Sequence, residues 1–192
     1  DIVIEEKQDC RKTVSTQSKS NQSYFKKVNE VTSYKQIFFN ERGSKVKRVY
    51  LRGKSGSGKT TFCRKVLHAW CSAHEGRGAA DNSSFKDETV LQMFDILFYM
   101  SLREVSDHEN LIEAIYDNFN CLFPKKNVLQ SLLYLNGDKV LLILDGLDEM
   151  ITKAGFIENV LIHTDSPNCC FLVSSSAWNI SEMEVQVGWE MD

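Results

Sequence analysis

The chain has 192 residues, 42% apolar and 26% charged, with a formal net charge of -3. This is the composition of a globular domain with a real core, expected to bury roughly 70% of its unfolded surface. The charge balance gives no field that would gather nucleic acid or an anionic membrane. No apolar run approaches the ~18 residues of a membrane span, and DIVIEEKQDC lacks the basic start and apolar middle of a signal peptide, so a cytoplasmic location is expected.

In chain order, residues 10–23, CRKTVSTQSKSNQS, hold one aliphatic residue among Ser, Thr, Gln and Lys and cannot repay the entropy of ordering. Residues 1–23 are therefore expected to be a disordered polar linker, with one domain over 24–192. A short helix is predicted over 24–39, then a turn at ERGSK and a strand over 46–51. Thr60 to about His74 carries Phe62, Val66, Ala69, Trp70 and Ala73 on one face, the stripe of an amphipathic helix. A polar insertion over 75–90 precedes a second strand, 94–102.

Ser106 and Glu109 offer a capping box for a helix bearing Leu111, Ile112, Ile115, Tyr116 and Phe119. A further helix over 127–135 is expected to stop at Asn136-Gly137 with a left-handed cap. Residues 139–144 hold five successive aliphatic residues after Lys139, the pattern of a strand covered on both faces. A helix over 155–162 and strands at 169–173 and 185–187 complete the pattern. Strands alternating with helices predict an α/β fold, a three-layer sandwich around a mostly parallel five-stranded sheet.

Six cysteines, at 10, 63, 71, 121, 169 and 170, contain no C-x-x-C pair and suit reduced thiols. Cys63, His68, Cys71 and His74 are all metal-ligand types. On one helix, however, Cys63 and Cys71 are about 12 Å apart at ~1.5 Å per residue, too far for one zinc ion.

The decisive stretch is Gly53-Lys54-Ser55-Gly56-Ser57-Gly58-Lys59-Thr60, a full match to the Walker A pattern G-x-x-x-x-G-K-[ST]. It follows a predicted strand and opens a predicted helix, the context the pattern requires and a Gly/Ser linker does not. Glycines let the backbone turn its N–H groups inward at the positive end of a helix. Lys59 adds a charge toward the β- and γ-phosphates, Thr60 a hydroxyl for Mg²⁺, and Thr61 a donor toward the α-phosphate.

The expected second anchor, in the Walker B position, is Asp145, which follows the apolar strand on the edge from which the glycine loop emerges and can hold Mg²⁺. Asp148 and Glu149 add carboxylates able to orient or deprotonate an attacking water, which makes them the candidate catalytic residues. The chain has no Asn-Lys-x-Asp sequence of the kind guanine-specific P-loop proteins use, so ATP is the expected nucleotide.

With GKSGSGKTT and LLILDGLDE both present, the chain resembles the NACHT domain, the ATP-binding module of STAND-class proteins such as NOD-like receptors. The resemblance runs from about Val46 to Trp189, and the Asp-Gly-Leu-Asp-Glu ending is its most specific part. It implies ATP or ADP with Mg²⁺ as ligands, slow hydrolysis at best, and nucleotide-controlled homo-oligomerisation of a full-length protein in innate-immune or stress signalling, with neither nucleic acid nor membrane as partner. It also implies that the chain, which does not begin with Met, is an excerpt ending before helical and winged-helix parts.

One departure stands out: Ser176 lies where the family usually has an Arg that senses the γ-phosphate. A neutral hydroxyl cannot give the charge stabilisation worth ~10³ or more in other phosphoryl-transfer enzymes, so binding is expected to outlast hydrolysis. A P-loop small-molecule kinase and a non-hydrolysing interaction scaffold are the alternatives.

Overall fold

A computed structural model of the chain describes residues 3–6, 31–76, 85–105, 108, 110–149 and 168–176. Five strands, β1 (Val3–Glu6), β2 (Arg48–Arg52), β3 (Ile96–Ser101), β4 (Val140–Asp145) and β5 (Cys170–Ser175), form one sheet in the order β1-β2-β5-β4-β3. Strands β2, β5, β4 and β3 run parallel, and β1 pairs antiparallel with β2. Among the described residues the helices are α1 (Tyr34–Phe38), α2 (Lys59–His74), α3 (Leu111–Asn118) and α4 (Lys126–Leu135).

Successive side chains of a strand point to opposite faces, and here both faces are covered. On one side Leu141, Ile143, Cys170, Leu172, Val49 and Leu51 pack with α1, α2 and a 3-10 segment over Glu88–Met93. On the other, Val140, Leu142, Leu144, Phe171, Val173 and Tyr50 pack with α3 and α4. Every residue of β4 and β5 is buried, which is why 139–144 reads as an unbroken apolar run. The path from β2 to β3 crosses the sheet one way and the path from β3 to β4 steps back. Right-handed crossovers therefore place α2 on one face and α3 with α4 on the other. The α/β three-layer fold expected from the sequence is the one observed.

Several local expectations change. The fifth strand of the sheet is β1, from within the segment read as linker, so Val3–Glu6 is a correction to that reading. The polarity of residues 10–23 does not extend to the preceding stretch, which carries the β-formers Ile2, Val3 and Ile4. The strand expected at 185–187 and the helix at 155–162 lie outside the described residues. So does the rest of 1–23.

Helix α3 starts later than the capping-box reading implied. Its N-cap is Asn110, whose side chain accepts the Glu113 N–H at 2.9 Å. Asn136 and Gly137 do not form a left-handed cap. Asn136 has φ -120°, and Gly137 opens a 3-10 turn to Lys139. Glycine at 137 answers to space instead: a Cβ there would lie 3.2 Å from Cys169 N and Sγ and from Asn168 Cβ.

Helix α2 is fixed at its far end by Trp70, whose indole N–H donates to Phe94 O at 2.7 Å, and by Gln92, which donates to Ala73 O at 2.7 Å. Both bonds tie the helix to the segment entering β3.

Replacing Asn110 by Ala removes an acceptor at a helix N-terminus and is expected to lower stability by about 1 kcal/mol. The loss should appear as a lower urea midpoint with an unchanged slope, and Asn110→Ser should recover most of it.

Candidate functional site

Strand β2 delivers the chain to the glycine loop, and β5 holds the loop's first residue in place. Gly53 N–H donates to Ser175 O at 3.3 Å, and Ser57 N–H closes a turn onto Lys54 O at 3.1 Å. Gly56 (φ 75°) and Gly58 (φ 94°) occupy the left-handed region that favours glycine. Gly58 is the N-cap of α2, which has no side-chain cap. The first N–H groups of a sixteen-residue helix therefore face the loop without a side-chain acceptor, an arrangement suited to an anion.

Lys59 folds over the loop, its Nζ donating to Gly53 O at 2.9 Å and Lys54 O at 3.2 Å. Lys54, Ser55, Gly56, Thr60 and Thr61 are exposed, while Ser57, Gly58 and Lys59 are half-buried. Ser57 Oγ is buried without a hydrogen-bond partner.

Asp145 ends β4. Because β5 lies between β2 and β4, the glycine loop and Asp145 stand two strand spacings apart, about 9.6 Å at ~4.8 Å each, both at the carboxyl edge of the sheet. Asp145 is 6% exposed, and a carboxylate so placed needs donors. Ser174 Oγ donates to its Oδ1 at 2.5 Å, and the Tyr99 hydroxyl donates to its Oδ2 at 3.0 Å. Ser174 Oγ also accepts the Gly146 N–H at 2.9 Å.

Gly146, at φ 85°, turns the chain off the strand into a 3-10 turn over Leu147–Glu149, anchored by the buried Leu147. Asp148 is half-buried, with Oδ1 shielded from solvent and unpartnered. Glu149 is exposed. Ser176 follows β5 and is half-buried.

The structure thus gathers the sequence-derived residues along one edge, with Gly53–Thr61 at the head of α2 and Asp145, Asp148 and Glu149 beyond β5. Sequence reasoning missed the residues that hold Asp145. Ser174 and Tyr99 are polar side chains in largely apolar strands, and that was their only signal. Burial, reinforced by the charge of Asp145, pushes the Tyr99 hydroxyl up to about 12, against the opposite pull of Arg64 on α2. The phenol is therefore a neutral donor at ordinary pH. Cys63, fully buried one turn into α2, lies against Asp145 and Ser174, and burial first, then the Asp145 charge, push its thiol up to about 12.

These features fit a polyphosphate carrying a divalent cation. The uncapped N–H groups, the Lys59 ammonium and the orphaned Ser57 hydroxyl could donate to phosphate oxygens. Thr60 and Asp145 could offer the hard oxygen donors that magnesium prefers.

Comparison with known families is decisive for identity, because the NACHT domain model matches residues 47–189. The chain belongs to the NACHT domain family. The match coincides with the stretch from Val46 to Trp189 over which the resemblance was read. Among curated proteins, human Protein NLRC5 is 30% identical over 121 residues, which is 61% of this chain and 6% of that protein. The chain therefore spans a small part of the relative it matches. As a NACHT domain, it is a nucleotide-binding module. Among the described residues, no helix is long and apolar enough to cross a membrane.

Burial and the raised thiol pKa make Cys63 a slow target for alkylation, whereas Cys121 is exposed. Under native conditions at pH 8, iodoacetamide should modify Cys121 well before Cys63, with the order read by peptide mass spectrometry. Thiolate is the reactive form. Chemical unfolding should abolish the difference.

Proposed function

We propose that this NACHT domain is a nucleotide-gated switch in the cytoplasm. It binds ATP or ADP with Mg²⁺, and its occupancy controls homo-oligomerisation of the full-length protein in innate-immune or stress signalling. The observation that carries the reading is the uncapped start of α2 beneath two left-handed glycines, facing Asp145 across the end of β5.

Each residue has a role that its chemistry allows. Backbone N–H groups between Lys54 and Thr61, apart from that of Ser57, which donates to Lys54 O, donate to phosphate oxygens together with the hydroxyls of Ser55, Ser57 and Thr61. Lys59 exchanges its two carbonyl acceptors for the β- and γ-phosphates. Thr60 and Asp145 hold the cation, which when bound neutralises charge on the phosphates.

Asp148 and Glu149 are placed to orient an attacking water. Ser176 stands where family resemblance expects an Arg, and its hydroxyl offers no positive charge to a transferring phosphoryl group. Binding without efficient turnover follows, so the signal is nucleotide occupancy rather than flux through hydrolysis.

Lys59→Ala is expected to abolish measurable ATP affinity. In the wild type, ATP with Mg²⁺ at ~100 times its Kd should stabilise the fold by ~2.7 kcal/mol, seen as a raised Tm that the variant lacks. Equal thermal shifts in the two proteins would contradict the reading. Wild-type protein incubated with ATP and Mg²⁺ should release mostly ATP on denaturation, whereas rapid conversion to ADP would show that Ser176 does not limit hydrolysis.

A further inference from the structure

Asp145 is held from two directions by residues outside the glycine loop. Ser174, on β5, stands in register beside the end of β4, since Val173 pairs with Leu144. Its hydroxyl is engaged twice, donating to Asp145 Oδ1 while accepting the Gly146 N–H. One side chain thus aims the carboxylate and fixes the backbone turn that follows it.

Tyr99, on the opposite flank in β3, pairs in register with Ile143 and extends past that pair to reach Asp145 Oδ2 at 3.0 Å. Its ring packs on the α2 side of the sheet. The carboxylate therefore has one neutral donor on each oxygen from each neighbouring strand, and rotation about its side-chain bond would break both bonds. A nearly buried carboxylate with this support presents its remaining lone pairs in a single direction.

Building on the nucleotide reading above, we infer that Tyr99 and Ser174 are positioning residues that hold Asp145 in the orientation that serves magnesium. They set the magnesium-dependent part of nucleotide affinity and leave the phosphate grip of the glycine loop untouched. The division follows from their placement. Neither residue belongs to Gly53–Thr61, and both bonds end on the carboxylate rather than on the loop.

The test is calorimetric titration of ATP into the full-length protein, with Mg²⁺ and separately with EDTA. For the wild type, Tyr99→Phe, Ser174→Ala and Ser174→Thr, the quantity read is the ratio of the two affinities. Loss of a partner that orients a metal ligand typically costs 10–100-fold in metal affinity. Tyr99→Phe and Ser174→Ala should therefore lower the magnesium enhancement by about tenfold or more, with EDTA affinity unchanged. Ser174→Thr, which keeps the hydroxyl, should restore the enhancement.

The inference is overturned if Tyr99→Phe retains the wild-type ratio, or if both affinities fall by the same factor, as general loosening of the fold would produce. Wild-type protein that binds ATP equally with and without Mg²⁺ would overturn this inference and the cation role of Thr60 and Asp145, while leaving nucleotide binding itself standing. A wild type that binds no ATP would overturn the nucleotide reading and this inference with it.

Discussion

Strands β4 and β5 are covered on both faces along their whole length, and this double burial confines their polar chemistry to one place. An ionised or hydroxyl side chain midway along either strand would lie under a helix, away from water, at a cost of several kcal/mol without partners. At the carboxyl end a buried polar group is within reach of donors from adjoining strands and turns, as Asp145 is of Ser174 and Tyr99. Asp145, Ser174 and Ser175 stand at those ends and nowhere earlier. The glycine loop opens at the same edge because β2 runs parallel to them. The site is thus a consequence of how the sheet is covered.

The same burial governs how Asp145 is held. A carboxylate 6% exposed has little water to satisfy it and needs hydrogen-bond donors from the protein. The Ser174 and Tyr99 hydroxyls perform that role, and the raised pKa of Tyr99 keeps its proton available for donation. Cys63 completes the wall behind the carboxylate as an inert packing group, its thiol held protonated by the environment that Asp145 shares. What resembles an ordinary acidic residue after a strand is a charge supported by three elements.

Much of this was legible in the sequence, for reasons that can be named. The glycine loop was readable because its chemistry is local: every residue of Gly53–Thr60 acts through its own backbone or side chain, so contiguous letters carry the meaning. Strand β4 was readable because covering both faces leaves no polar position to interrupt the run. The contact between Tyr99 and Asp145 spans 46 residues, and no periodicity within β3 distinguishes a tyrosine that packs from one that also donates. At α3 the sequence reading took Ser106 with Glu109 as the cap, and the packing of Leu111 and Ile112 into the core goes with the later start at Asn110. Gly137 was misread because a glycine after a helix signals backbone freedom far more often than closeness to a neighbouring strand. The strand β1 was missed because the composition of a long polar stretch outweighed a few β-forming residues beside it.

The antiparallel ribbon of β1 on β2 runs from Glu6 opposite Val49 to Val3 opposite Arg52. Arg52 is the last residue before the loop's first glycine, so the outer amides and carbonyls of β2 are claimed right up to the root of the loop. An open parallel strand in that position would offer a ledge onto which a foreign strand could zip, carrying it against the phosphate cradle. A short segment from the start of the chain seals that ledge from within the molecule.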